Sequence, residues 1–178
     1  HAVKSPAPTG AAARGLKGAI FYALDFAPAG AVSVRFARDR WMVADIPCCQ
    51  KGRGLFANPS VPAPPIVLNP RLKGVYRIFV GVGNGDGIVA RLSNEEMPTF
   101  RIPQSREHPT PFHLKLAGVQ QPSEVMFRIA EMDGKTLELR RFPNSYTRTI
   151  LDYVRFEELT PAEARAWRAR EGKAPCIP

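Results

Sequence analysis

The stretch that decides the fold is GVYRIFVGV at residues 74–82, followed by GNGDG at 83–87 and IVARLS at 88–93. Every second residue from Tyr76 to Val82 is apolar, whereas Arg77 lies on the opposite face. A period of two is typical of a half-buried β-strand. Asn-Gly and Asp-Gly supply the positive φ that tight hairpin turns require. The stretch therefore predicts two strands joined as a hairpin.

Short strands of the same kind are predicted along most of the chain. They are AIFYALDF within 19–26, AVSVRF at 31–36, WMV at 41–43, TFRI at 99–102, FHLKL at 112–116, VMFRIA at 125–130, TLELRRF at 136–142 and TILDYVRF at 149–156. Residues 47–70 are rich in proline, which cannot donate to a β-ladder, and are predicted to form a long loop with at most edge strands. We predict an all-β fold, an antiparallel β-sandwich over residues 19–159.

The two ends of the chain differ from this body. Residues 1–18 are small and proline-containing, which predicts a flexible N-terminal tail. Thr160-Pro-Ala-Glu163 forms a capping box with proline at the first helical position, so a short helix is predicted from there to about Glu171. We expect residues 160–178, this capped helix and a tail, to lead away from the domain.

Composition excludes several classes of protein. The chain has 178 residues, enough for one ordinary domain, and lacks the run of about 20 apolar residues that a membrane span needs. Its 25 Lys and Arg exceed 16 Asp and Glu, giving a net charge of +9. These basic residues are scattered and accompany no nucleic-acid-binding motif, so we expect no nucleic-acid partner. An acidic ligand remains compatible with the charge.

The three cysteines do not form a disulfide framework, because their number is odd and Cys48 and Cys49 are neighbours. A bond between those two would be strained, and pairing of either with Cys176 stays open. The sequence starts at His1 without an initiator Met. We therefore expect a secreted or periplasmic location.

The sequence carries no readable catalytic signature. It lacks G-x-S-x-G, and His108 and His113 lie in one proline-rich segment. No cofactor is expected. Asn84 and Asp86 in the 83–87 turn are weak candidates for a structural calcium ion, since hard cations need more oxygen ligands than two side chains provide.

Sugar binding requires an aromatic surface with planar hydrogen-bonding groups beside it. Two segments fit this description and provide the predicted ligand-binding residues, which are Trp41 with Arg38 and Arg40, and the loop residues Asn144, Tyr146 and Arg148. The alternative is that Trp41 and Tyr146 fill the sandwich core, where aromatic residues are common.

Two motifs on predicted strands resemble those of a known group of domains. Residues 74–81 read G-x-Y-x-I-x-V-G, and residues 153–159 read Y-V-R-x-x-x-L before the capped helix. This combination resembles the β-sandwich accessory domains that precede glycoside-hydrolase-like barrels in large secreted bacterial proteins. The resemblance implies a galactose-binding-like jelly roll that is not catalytic alone.

The function expected from these observations is that of a non-catalytic carbohydrate-binding or accessory module, whose glycan partner could be acidic. The alternative is a structural or interaction domain that packs on an adjacent catalytic domain or subunit without a ligand of its own. A small stand-alone hydrolase is the third reading.

Overall fold

The computed structural model describes most of the expected strands and the C-terminal helix. The described residues are 18–27, 41–58, 63–83, 88–93, 95, 100–101, 122–141 and 148–171. Their elements are β1 (Gly18–Tyr22), a one-turn 3₁₀ helix (Ala23–Phe26), β2 (Met42–Asp45), β3 (Arg53–Ala57), β4 (Ile66–Leu68), β5 (Val75–Gly83), β6 (Ile88–Leu92), β7 (Phe100–Arg101), β8 (Ser123–Glu131), β9 (Leu137–Arg141), β10 (Thr149–Glu158) and α1 (Pro161–Glu171).

These strands form two antiparallel sheets around one core. The first sheet has six strands in the order β2-β3-β10-β5-β8, with β1 paired to β10, and the second has the order β4-β9-β6-β7. Ile78 and Phe156 of the first sheet lie in the same buried cluster as Ile88 and Leu139 of the second. The predicted all-β sandwich is thus confirmed.

Strand β10 is the centre of the six-stranded sheet. One edge of β10 pairs with β5. The other edge pairs with β3 up to Leu151 and with β1 from Tyr153 onward. The register with β5 shifts between the same two residues. Asp152 is therefore the extra residue of a β-bulge, placed where one neighbouring strand replaces another.

The predicted hairpin between residues 75–83 and 88–92 is wrong, although both strands exist. β5 pairs with β8 and β10, whereas β6 pairs with β7 and β9 of the other sheet. Ile78 and Ile88 are both fully buried in the common core. The two strands thus belong to different sheets that share one core. Alternation predicts the buried face of a strand but not the strand it pairs with.

The proline-rich region also contains more sheet than expected. β3 lies between β2 and β10 inside the larger sheet, and its Leu55 is fully buried. The prolines of this region flank residues 53–57, so each residue of β3 keeps a backbone N–H that can donate to a neighbouring strand. β4 is an edge strand, as predicted. The strands predicted at 31–36 and 112–116 lie outside the described residues, as does the N-terminal tail before Gly18.

The helix begins as predicted but does not lead away from the sandwich. Thr160 Oγ1 accepts from the Glu163 backbone N–H at 3.2 Å, and Glu163 accepts in return from the Thr160 backbone N–H at 2.9 Å. Leu159, Ala164 and Trp167 pack on the outer face of the larger sheet. Burial of this small apolar set holds α1 on the domain. Among the described residues, no helix is long and apolar enough to cross a membrane.

Gly81 of β5 allows an aromatic ring to lie flat on the sheet. A Cβ at this position would lie 2.4 Å from Cε1 of Tyr153, the cross-strand partner of Gly81. Non-bonded carbon atoms do not approach this closely, so the ring occupies the volume that the side chain of any other residue would need.

We expect Gly81→Ala to lower the free energy of unfolding by about 1–3 kcal/mol, the usual cost of overpacking. The direction is informative, because alanine in a strand otherwise stabilises by about 0.5–1 kcal/mol over glycine. Urea unfolding of the single and double variants measures the effect. In the Tyr153→Leu background the same substitution should cost much less. An equal cost in both backgrounds would contradict the contact.

Candidate functional site

The outer face of the six-stranded sheet brings together side chains from the first and last strands of the domain. The register places Tyr22, Tyr153, Gly81 and Glu124 in one row across the sheet. The next row contains Ile20, Arg155, Phe79 and Met126. We name the seven side chains of these rows the outer strip: Ile20, Tyr22, Phe79, Glu124, Met126, Tyr153 and Arg155.

The first row is built around the ring of Tyr153. This ring lies against Gly81, and its hydroxyl donates to Glu124 Oε2 at 2.8 Å. Tyr22 meets it edge-on with ring centroids 6.5 Å apart, and Lys51 Nζ lies 4.6 Å from the Tyr22 ring centroid. Burial and the neighbouring Glu124 carboxylate raise the pKa of Tyr153, so its hydroxyl stays protonated and remains a donor.

Arg155 organises the second row. Its guanidinium lies 4.0 Å from the ring centroid of Phe79. Nε and Nη2 donate to the two oxygens of Glu124 at 2.9 and 2.5 Å, and Nη1 donates to Glu157 at 3.0 Å. Hydrogen bonds to Glu124 are the main cause of a raised pKa of Arg155. A stacked, bidentate arginine of this kind is held rigidly in one orientation.

Helix α1 bounds the outer strip on one side. Arg77 of β5 donates to Glu157 at 3.2 Å and to Glu163 of the helix at 2.9 Å. The bonds from Arg77 and Thr160 lower the pKa of Glu163 to about 2. The helix N-terminus is therefore fixed to β5 through the ion pair of Glu163 with Arg77, and Arg77 shares the Glu157 carboxylate with Arg155.

A turn containing both neighbouring cysteines bounds the other side. Ile46 and Cys49 pack on Ile150 of β10, and the backbone of Ile46 and Gly52 closes the turn with a hydrogen bond of 2.9 Å. Gly54 allows this close approach, since a Cβ there would lie 2.9 Å from Cys49 Sγ. Cys48 and Cys49 are free thiols in this structure. Burial raises the pKa of both, so neither is activated as a nucleophile.

The bulge residue Asp152 anchors this turn to β10. It is 4% exposed, and its Oδ2 accepts from the Gln50 backbone N–H at 2.9 Å. Its Oδ1 is buried and makes no hydrogen bond. Burial raises the pKa of Asp152 to about 6, because loss of solvent penalises the charged form more than the single backbone bond favours it.

Of the residues predicted to bind sugar, the structure describes Trp41 and Arg148. Trp41 is fully buried in the common core, and its Nε1 donates to the Pro64 carbonyl at 2.9 Å. A ring with no exposed surface cannot stack on a sugar, so the core alternative holds for Trp41. Arg148 immediately precedes β10 and is half-buried. Arg38, Arg40, Asn144 and Tyr146 lie outside the described residues.

The calcium candidates Asn84 and Asp86 also lie outside the described residues. Within the described part of the chain, no group of three or more His, Cys, Asp or Glu side chains could hold a metal ion.

Sequence reasoning did not find the outer strip. Tyr22 and Tyr153 belong to strands near opposite ends of the domain, and nothing in the sequence shows that these strands pair. One local signal was present. Glycine at position 81 interrupts an otherwise bulky strand, and such a glycine often marks the close approach of another group.

Chemically, the outer strip offers aromatic and apolar surface beside fixed hydrogen-bonding groups. Tyr22 and Phe79 are half-buried, and Met126 is 50% exposed. Glu124 already accepts from Tyr153 and twice from Arg155. Three of the about four hydrogen bonds that a carboxylate can accept are therefore already formed within the protein.

We expect Asp152→Asn to remove a pH dependence of stability. The folded-state pKa of about 6 lies above the unfolded value near 3.8, so wild-type protein loses stability as the pH rises from about 4 to about 6. Two pKa units correspond to about 2–3 kcal/mol, and asparagine still accepts from Gln50 without a charge. Urea unfolding between pH 4 and pH 8 measures the difference.

The matched control for this experiment is Asp45→Asn, because the Asp45 side chain is 85% exposed in a surface ion pair. Its pH profile should parallel that of the wild type. If the stability of Asp152→Asn and that of the wild type changed with pH in parallel, the raised pKa of the buried Asp152 carboxyl would be contradicted.

Comparison with known proteins yields structural likenesses only. No family model matches the chain, and no curated protein matches it. Among solved structures, the catalytic domain of a GH87 α-1,3-glucanase in complex with nigerose matches with a TM-score of 0.48 and 13% identity. Another, in complex with tetrasaccharides, matches at 0.45 and 11%. Each match covers 82% of this chain and 29% of the other, so this chain spans less than a third of those proteins. Likenesses this distant carry no functional conclusion.

Proposed function

We propose that the domain is a non-catalytic carbohydrate-binding module and that the outer strip is its binding face. The observation that carries the proposal is the placement of Tyr22 of β1 and Phe79 of β5 on either side of β10, on the same face as the hydrogen-bonded pair Arg155 and Glu124. Sugars present an apolar ring face and a rim of hydroxyl groups. Aromatic surface next to planar donors and acceptors matches both features.

The flanking elements support this choice of face. The cysteine turn covers Ile150 on one side, and α1 covers Val75 and Ile129 on the other. The outer strip lies between them, and its ion pairs hold its polar groups in place before a ligand arrives. Preorganisation of this kind reduces the entropy lost on binding.

The remaining ligand-binding residues predicted from sequence form a second part of the proposal. Arg38, Arg40, Asn144, Tyr146 and Arg148 remain proposed ligand contacts outside the outer strip. A secreted or periplasmic location and an adjacent catalytic domain or subunit belong to the same proposal.

A second candidate function is docking on that catalytic neighbour without a glycan ligand. It is favoured by Met126, which is 50% exposed and opposite Phe79 in the second row. A large exposed apolar side chain beside an aromatic ring suits a protein contact.

Affinity electrophoresis in gels containing soluble polysaccharides separates the two candidates. We expect the wild-type chain to be retarded by at least one polysaccharide. Tyr22→Ala should weaken retention about tenfold, since losing an aromatic contact and its buried area costs on the order of 1–2 kcal/mol.

Val67→Ala is the matched control, because Val67 is 57% exposed on a strand of the other sheet. Its retention should equal that of the wild type, and thermal melting verifies that each variant is folded. Retention that is unaffected by Tyr22→Ala would contradict the assignment of the outer strip. Absence of retention on every polysaccharide would favour docking.

A further inference from the structure

We propose that the outer strip recognises a neutral glycan and not an acidic one, an inference that rests on the proposed function. The sequence alone left an acidic ligand open, because the chain as a whole carries a net charge of +9. The distribution of charge around the outer strip points the other way.

The arginines of this face form ion pairs with neighbouring glutamates. Arg155 is bonded to Glu124 and Glu157, and Arg77 is bonded to Glu157 and Glu163. These two arginines face three glutamates, and Lys51 over the Tyr22 ring adds the third cation. The buried carboxyl of Asp152 beside the cysteine turn adds negative charge at neutral pH. Among the described residues of this face, cations therefore do not outnumber carboxylates.

An anionic sugar would have to compete with carboxylates that are already in place. The Arg155 side chain is 10% exposed and directs Nε, Nη1 and Nη2 to protein carboxylates. Turning the guanidinium towards a uronate would leave Glu124 without its two strongest donors. Removing one partner of a partly buried ion pair is costly, so this exchange is disfavoured.

A neutral sugar needs no such exchange. Its hydroxyl groups can donate to the remaining lone pairs of Glu124 and Glu157, because an ionised carboxylate accepts about four hydrogen bonds. Its apolar ring face can pack on the half-buried Phe79 and the exposed Met126. Charge-neutral recognition of this kind is insensitive to ionic strength.

The test measures Tyr22-dependent retention, which is the retention of the wild type minus that of Tyr22→Ala. It is measured with two sets of polysaccharides, each at 50 and at 500 mM NaCl. Dextran, laminarin and xyloglucan are the neutral set, and polygalacturonate and alginate are the acidic set. Subtracting the retention of Tyr22→Ala removes attraction to basic residues elsewhere on the chain. We expect Tyr22-dependent retention on a neutral polymer that changes less than about twofold with salt.

Lys51→Gln provides a second readout, since it removes a cation of this face and leaves the ion pairs of Arg155 intact. For a neutral ligand its retention should remain within about twofold of the wild type, whereas an acidic ligand would bind several-fold more weakly. Tyr22-dependent retention on polygalacturonate or alginate that falls with salt would overturn the inference and leave the carbohydrate-binding function standing. Absence of Tyr22-dependent retention on both sets would overturn the outer strip as a binding face.

Discussion

The structure depends on the way β10 shares one of its sides between two partners. β3 pairs with its first residues and β1 with the rest, and the change takes place at the bulge of Asp152. The inserted residue shifts the alternation of inward and outward side chains by one position, so that Ile150 and Tyr153 both lie on the outer face. This places the cysteine turn over Ile150 and keeps Tyr153 beside Tyr22. The bulge thus sets both the change of partner along β10 and the position of the candidate site.

Much of the sandwich could be predicted from the sequence, because strand alternation is a local property. The buried face of β5 was predicted correctly, from Tyr76 to Val82, and so was the capping box at Thr160. The partner of β5 could not be predicted. A glycine-rich turn allows a hairpin but does not require one, and the burial of Ile78 and Ile88 in one core is also achieved when their strands lie in different sheets.

The candidate site was less predictable than the fold. Trp41 has the residue type and the charged neighbours of a sugar platform, yet its indole gains more from full burial with a hydrogen bond to Pro64. The outer strip needs the pairing of β1 with β10 and of β5 with β8. Residue type can be read from a sequence, whereas the register of distant strands is set by packing across the whole sheet.

The central position of β10 also governs how the chain must fold during its synthesis. β10 is the last strand of the sheet in sequence but joins β1, β3 and β5. Until residue 158 has left the ribosome, β1 has no partner in this sheet, β3 is paired only with β2, and β5 is paired only with β8. The larger sheet therefore completes only after β10 has emerged, through contacts between residues distant in sequence, which form slowly. The nascent domain exposes unpaired strand edges for as long as this takes, and such edges are prone to pair with other chains.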